Sequence, residues 1–333
     1  MTRVVFTCGD VNGIGPEIAV KAFSKIFRQK NSNQIIFVCP KNIFQHYYKV
    51  TKAAFKYQVV FNQSFSSSQL NLIPLPDVKL KLGNPTKESG KIAFQSIIKS
   101  LDLIDNKLAD VLVTAPISKE AFSLAKINFP GHTELLAEHE NSNNYMMLFL
   151  SEKLKAGLLT IHSPISKIPK LITKEKVVKA IGLLHQTSVF DLGILNPKIA
   201  VLGLNPHAGE NGLIGTEEIE IIEPAIKSLQ KKFDVSGPFV PDAFWGNKTY
   251  KKFDMILGMY HDQVLIPFKL LNFNSGVNFT AGLNLIRTSP DHGTAYDIAG
   301  MNKADESSIL QSYKYAIKIF QNRNRSIAES KSN

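Results

Sequence analysis

The chain has 333 residues, which suits two hydrophobic cores better than one. Hydrophobic residues make up 44% and charged residues 20%, the balance of a globular protein, and no apolar run approaches the roughly 20 residues of a membrane helix, so a soluble protein without a membrane partner is expected. The net charge of +11 comes from scattered lysines with no basic cluster interleaved with aromatics; this argues against a nucleic-acid partner and for solvated faces, part of whose charge could draw an anionic metabolite into a cleft.

Met1 to Cys8 passes directly into an apolar β-type run without the features of an export signal, so the expected location is cytoplasmic. Short β-branched runs at Val4–Cys8, Gln34–Cys39, Asp110–Thr114, Lys155–Ile161, Lys198–Gly203 and Asp254–Met259 read as strands. Between them, Pro16–Ile26, Glu88–Ile104, Lys174–Leu184, Glu217–Leu229 and Ser307–Phe320 read as helices, several opening on Pro, Ser, Thr or acidic residues. This alternation predicts an α/β protein with mostly parallel sheets covered by helices. Cys8 and Cys39 each end a short apolar run and read as reduced, buried thiols rather than a disulfide or catalytic pair. No internal repeat is visible, and the polar segment Asn322–Asn333 is expected to fray.

Gly9-Asp10-Val11-Asn12-Gly13-Ile14-Gly15-Pro16-Glu17 lies between the first strand and the first helix, but its glycines do not have G-x-G-x-x-G spacing. A tight strand-to-helix turn is expected, with phosphate binding as the alternative.

Three of the eight histidines share a setting. His162, His207 and His261 each stand just past the carboxyl end of a predicted strand, the edge at which parallel α/β sheets bind ligands. Three neutral imidazoles with open positions suit a divalent transition ion; equally, a histidine after a strand can be a hydrogen-bonded structural residue, and no H-E-x-x-H pair decides between these readings. His46, His139 and His185 lie in helix-like stretches and read as surface or packing residues. His132 and His292 stand in polar turns leading toward helix-like segments, where they could offer donors to an anion. Lys269, Asn278 and Arg287 interrupt apolar surroundings, as surface residues or as donors to a phosphate or carboxylate.

Taken in order, Gly9 to Glu17, Thr114-Ala115-Pro116-Ile117-Ser118-Lys119, Gly131-His132-Thr133-Glu134, Gly203-Leu204-Asn205-Pro206-His207-Ala208-Gly209-Glu210, Met259-Tyr260-His261-Asp262-Gln263 and Ile286-Arg287-Thr288 through Gly300 resemble the successive motifs of the 4-hydroxythreonine-4-phosphate dehydrogenases, over nearly the whole chain. His292 to Gly300 is also similar to the cofactor loop of isopropylmalate and isocitrate dehydrogenases.

The resemblance implies two α/β/α domains with the active site in the cleft between them. The first would comprise residues 1–128 and 285–333 with the cofactor loop, and the second residues 129–284 with the metal ligands and a dimer interface. It implies one divalent ion (Zn, Mg or Co) on His162, His207 and His261, and substrate contacts from His132, Thr133, Lys269, Asn278 and Arg287. It implies NAD or NADP on His292, Gly293, Thr294, Ala295 and Asp297. Asp242, Asp262 and Lys119 are candidates for proton transfer or support of the ligands. A homodimer with shared sites follows, with His162 expected from one chain and the other two ligands from its partner. The implied reaction oxidises 4-phosphooxy-L-threonine to 2-amino-3-oxo-4-phosphooxybutanoate, which decarboxylates to 3-amino-2-oxopropyl phosphate in pyridoxal phosphate biosynthesis. Two departures touch the expected phosphate grip: Val264 stands where relatives carry glycine, and Asn274-Ser275 where some carry Gly-Arg. The alternatives are a related dehydrogenase for a non-phosphorylated hydroxy acid or diol, a three-histidine metal-dependent hydrolase and, more remotely, a basic nucleic-acid-binding module.

Overall fold

The structure, a computed structural model, describes residues 1–29, 32–62 and 64–332. In chain order the strands are β1 (Arg3–Thr7), β2 (Gln34–Pro40), β3 (Tyr57–Val59), β4 (Leu70–Leu75), β5 (Val111–Val113), β6 (Met146–Leu150), β7 (Lys155–Leu158), β8 (Ile199–Leu202), β9 (Val235–Phe239), β10 (Met255–Gly258), β11 (Val277–Ala281) and β12 (Arg287–Pro290). The chain divides into two compact units, Met1–Ser142 with Asn284–Phe320, and Asn143–Leu283 with Gln321–Asn333.

In the first unit the strands run β3-β4-β2-β1-β5-β12, and the paired neighbours are parallel. All of β2 is buried, which is why it reads in sequence as an unbroken apolar run: a parallel strand covered on both faces has no polar side to alternate with. The helix Gly15–Arg28 carries Pro16 and Glu17 in its first turn and Lys25 and Arg28 in its last, in agreement with the helix dipole. It buries Ile18, Phe23 and Ile26, and Phe23 meets the rings of Phe6 and Phe37 edge-on at 5.0 and 5.1 Å. Thr86 and Ser89 form a reciprocal capping box at the start of the helix Lys87–Asp105.

The Gly9–Glu17 segment is a tight turn, as expected. The N–H groups of Asp10, Asn12, Gly13 and Ile14 donate to Pro116 O, Asp10 Oδ1, Asp10 O and Thr294 O, respectively. With those donors committed and a buried carboxylate at Asp10, the turn is unsuited to phosphate.

The second unit has the order β11-β6-β7-β10-β8-β9. Here β6 is antiparallel to both β11 and β7, a local departure from the parallel expectation, while β7, β10, β8 and β9 are parallel. Their core gathers Phe149, Leu158, Leu202, Ile256, Val264 and Phe268 among others. Val264 fits because the residue beneath it is Gly258, where a Cβ would come within 2.1 Å of Val264 Cγ2. That departure from the resemblance is therefore absorbed by packing. Asn274-Ser275 lies in the turn after the helix His261–Asn272, where Ser275 N and Gly276 N donate to Asn272 O.

Two expectations are corrected. The stretch Glu217–Leu229 is a π-helical turn, Glu218–Ile222, followed by the helix Glu223–Leu229. Pro224 has no N–H to offer to the preceding turn, and Glu223 N reaches back to Glu218 O. The C-terminal segment does not fray at Asn322, because the last helix runs Ser307–Ser332 and its polar side chains have partners: Asn322 Nδ2 donates to Asp191 O at 2.8 Å and Arg323 Nε to Asp191 Oδ1 at 2.6 Å. Asn333 lies outside the described residues. Cys8 and Cys39 are free and buried, and no helix among the described residues is long and apolar enough to cross a membrane.

Candidate active site

Strands β7, β10 and β8 are consecutive neighbours, all parallel, so their carboxyl ends open on one edge of the second unit. His162, His261 and His207 follow these three ends. Thr160 binds the first loop to the second, its N and Oγ1 both donating to Met259 O at 3.2 and 2.6 Å. Gln263 binds the second to the third, accepting from Met259 N and donating to Gly203 O, each at 2.7 Å. The rings of His162 and His261 lie 6.1 Å apart between centroids. His261 Nδ1 is 2.7 Å from Asp262 Oδ1, an arrangement that orients the ring and directs Nε2 elsewhere.

His207 is held differently. Residues His207 to Asn211 all have positive φ, from 41° to 79°, values that Gly209 and, less readily, Asn211 tolerate but that strain His207, Ala208 and Glu210. A run of this kind persists only where the surroundings impose it. Glu218, 1% exposed, supplies the restraint: its Oε1 accepts from Leu204 N and Asn205 N at 2.7 and 2.8 Å, and its Oε2 from Asn205 Nδ2 at 2.9 Å. Sequence reading missed Glu218, because one glutamate among several in a helix-like stretch looks solvated until its burial is seen. No group of three or more His, Cys, Asp or Glu residues among the described residues of this one chain is arranged to hold a metal. The chain thus pairs His162 with His261 and does not bring His207 into a complete set.

In the first unit, Arg287 on β12 is 3% exposed and its Nε donates to Thr114 Oγ1 at 2.8 Å. Burial pulls its pKa down to about 9, partly offset by the Glu134 carboxylate. His132 and Thr133 open the helix His132–His139 and are buried. Burial, and then the charge of Arg287, push His132 well below the ordinary imidazole range, so it is neutral at pH 7. Its Nε2 is buried without a hydrogen-bond partner, and so is Oδ1 of Asn278 on β11 in the second unit. Two of the five expected substrate residues therefore present an unsatisfied polar atom, which a ligand would satisfy. Lys269 is exposed on the helix His261–Asn272.

Beyond β12, His292 Nδ1 lies 3.0 Å from Gly293 O, Ala295 is left-handed with φ 43°, and Gly293 and Asp297 are exposed. Thr294 lends its carbonyl to Ile14 N at 3.0 Å. Among the candidates for proton transfer, Asp262 stands against His261, whereas exposed Lys119 and Asp242 lie in the first turns of short helices, Lys119–Leu124 and Pro241–Gly246. His46 and His139 sit in helices, and His185 stacks on Phe233 at 4.2 Å, all three in packing or surface roles.

An α/β chain with imidazoles at parallel strand ends and a buried arginine beside a neutral histidine has the parts of a metal-assisted enzyme acting on an anionic metabolite. Residues 30–316 match the family described as pyridoxal phosphate biosynthetic protein PdxA, and the chain belongs to that family. It is 40% identical to 4-hydroxythreonine-4-phosphate dehydrogenase of Bacteroides thetaiotaomicron, over 97% of this chain and 90% of that one. To the enzyme of the same name from Aquifex aeolicus it is 41% identical, over 94% and 96% of the two chains. The crystal structure of 4-hydroxythreonine-4-phosphate dehydrogenase from Klebsiella pneumoniae superposes with a TM-score of 0.82 at 36% identity, covering 96% of this chain and 98% of that one.

Proposed function

We propose that the chain oxidises the C3 hydroxyl of 4-phosphooxy-L-threonine with NAD or NADP and a divalent metal. The product, 2-amino-3-oxo-4-phosphooxybutanoate, then loses CO₂ to give 3-amino-2-oxopropyl phosphate for pyridoxal phosphate biosynthesis. The observation that carries the reading, beside family membership, is Arg287: a buried guanidinium on the strand that leads into the cofactor loop, next to a neutral histidine with an unsatisfied Nε2. A buried arginine is poorly placed for ordinary surface solvation and well suited to a dianionic phosphate.

His132, Thr133, Lys269, Asn278 and Arg287 bind the phosphate and carboxylate and so orient the hydroxyl. His132, being neutral, gives or accepts one hydrogen bond at Nε2 without adding charge. His292, Gly293, Thr294, Ala295 and Asp297 hold the dinucleotide. His162, His207 and His261 fit a divalent ion by their chemistry, since neutral imidazoles suit zinc or cobalt better than magnesium. A bound ion would supply Lewis acidity toward the hydroxyl and the ketone, and a bound dinucleotide a hydride acceptor. Asp262 keeps His261 oriented, and proton transfer falls to Asp262, Asp242 or Lys119.

A homodimer with shared sites is part of this reading. Large apolar side chains stand exposed close in sequence to each histidine loop: Ile165 at 77%, Leu213 at 83%, Leu270 at 82% and Phe273 at 79%. The 6.1 Å approach of His162 to His261 in one chain favours these two as partners in one site, with His207 supplied by the other subunit. This differs from the split expected above, in which His162 alone came from one chain. The buried, free thiols Cys8 and Cys39 suit a reducing, cytoplasmic setting. Product analysis tests the reaction: reduced dinucleotide, CO₂ and 3-amino-2-oxopropyl phosphate should form in equal amounts, and reduced dinucleotide without CO₂ would refute the decarboxylating step.

A further inference from the structure

The Gly9–Glu17 segment has no part in the chemistry above, yet its side chains lie under the loop assigned to the dinucleotide. Asp10 is fully buried. Its Oδ2 accepts from Tyr296 Oη at 3.0 Å and from Ser89 Oγ at 2.9 Å, and its Oδ1 from Asn12 N at 2.9 Å. The side chains of Ser118 and Thr294 also lie beside the Tyr296 hydroxyl and act on its pKa. Three segments distant in sequence, the first turn, Thr114–Lys119 and His292–Gly300, thus converge on one phenol.

The backbone repeats the arrangement. Ile14 N donates to Thr294 O, and residue 13 is glycine where a Cβ would come within 2.7 Å of that same carbonyl. Farther along, buried Glu17 accepts from Ala304 N at 2.9 Å and from Lys21 Nζ at 2.8 Å, and Lys21 donates to Ala304 O at 2.8 Å. Residues 10–21 therefore fasten the 294–304 segment at both ends. Between the fastenings, Ala295 is left-handed and Asp297 is exposed, so the segment has little burial of its own to fix its shape. Burial raises the pKa of Tyr296, which keeps the phenol protonated as the donor.

We infer that Asp10 is a positioning residue for the dinucleotide, fixing the His292–Asp297 loop through Tyr296. A loop released from this tether has to be ordered by the ligand, and the ordering cost appears as weaker binding. The inference rests on the assignment of that loop to NAD(P), and the test separates the two.

NADH and NADPH are titrated by fluorescence onto the wild-type protein and the Tyr296→Phe, Asp10→Asn and double variants. KM for both substrates and the melting temperature are measured alongside. Tyr296→Phe removes only the hydroxyl and is the variant least able to disturb folding. Each single change should weaken dinucleotide binding about tenfold and leave KM for the phosphorylated substrate within about twofold, and the double variant should bind about as well as the weaker single one, because both lose the same bond. Tyr296→Phe binding within about twofold of wild type would overturn the inference, as would a parallel rise of both KM values accompanied by a fall in melting temperature. Failure of the wild-type protein to bind either dinucleotide would instead overturn the loop assignment, and the inference with it.

Discussion

Arg287 sets its charge against the imidazole of His132, and both side chains are buried. The folded-state pKa of His132 lies well below 6.5, burial being the larger cause and Arg287 the second. Below pH 6.5 the unfolded chain takes up a proton at this position that the folded chain refuses, so stability falls with pH there. This contribution is complete above the unfolded value and is lost as pH drops through the folded one. Melting temperatures followed from about pH 8 to about pH 5 should therefore fall more steeply for wild type than for His132→Asn. Superimposable pH profiles would contradict the buried neutral imidazole.

Arg287→Ala should raise KM for the phosphorylated substrate at least about tenfold, the usual consequence of losing a charged hydrogen bond. Arg287→Lys should recover only part of the loss, because an ammonium cannot reproduce the planar fork anchored on Thr114. Initial rates at varied substrate and fixed dinucleotide measure both. An equal rise in KM for the dinucleotide would show that Arg287 does not serve the anion.

His207 is exposed, so His207→Ala should leave the fold intact while abolishing turnover and reducing bound metal to less than about a tenth of the wild-type content. Circular dichroism and metal analysis of the same preparation check this. Normal metal content would remove His207 from the ligand set. Glu218→Ala acts on the same loop through folding: it leaves two backbone N–H groups without their acceptor and should cost about 2–4 kcal/mol in denaturant unfolding. A loss below about 0.5 kcal/mol would mean that Glu218 does not hold the left-handed turn.

Assembly is tested by co-refolding inactive variants, with mixed dimers verified by tagged chains. With His162 and His261 in one subunit's share of a site and His207 from its partner, His207→Ala mixed with His261→Ala leaves one site of a mixed dimer intact, so about a quarter of wild-type activity should return on random pairing. His162→Ala mixed with His261→Ala should recover none. The opposite pattern would reinstate the split expected from sequence order.

The strands that could be read from sequence were those whose pattern is local. Gln34–Pro40 declares itself because both of its faces are covered, and the three histidines stand out because each follows such a run. The antiparallel turn of β6 against β7 could not be read, since strand direction depends on pairing partners rather than on composition. Neither could the meeting of Arg287 with Thr114, or of Tyr296 with Asp10, because each joins segments far apart in the chain. The tail was misjudged for a related reason. Arg323 looks solvated until Asp191, 4% exposed, is found beneath it.

The central claim is that the phosphate of the substrate is recognised as such, and the most direct test is the initial rate of dinucleotide reduction with 4-phosphooxy-L-threonine against 4-hydroxy-L-threonine, under the same metal and cofactor. The account predicts that kcat/KM for the phosphorylated compound exceeds that for the other by at least about a hundredfold, as the loss of two or more charged hydrogen bonds requires. Equal values for the two compounds, or reduction only with the one lacking phosphate, would contradict it.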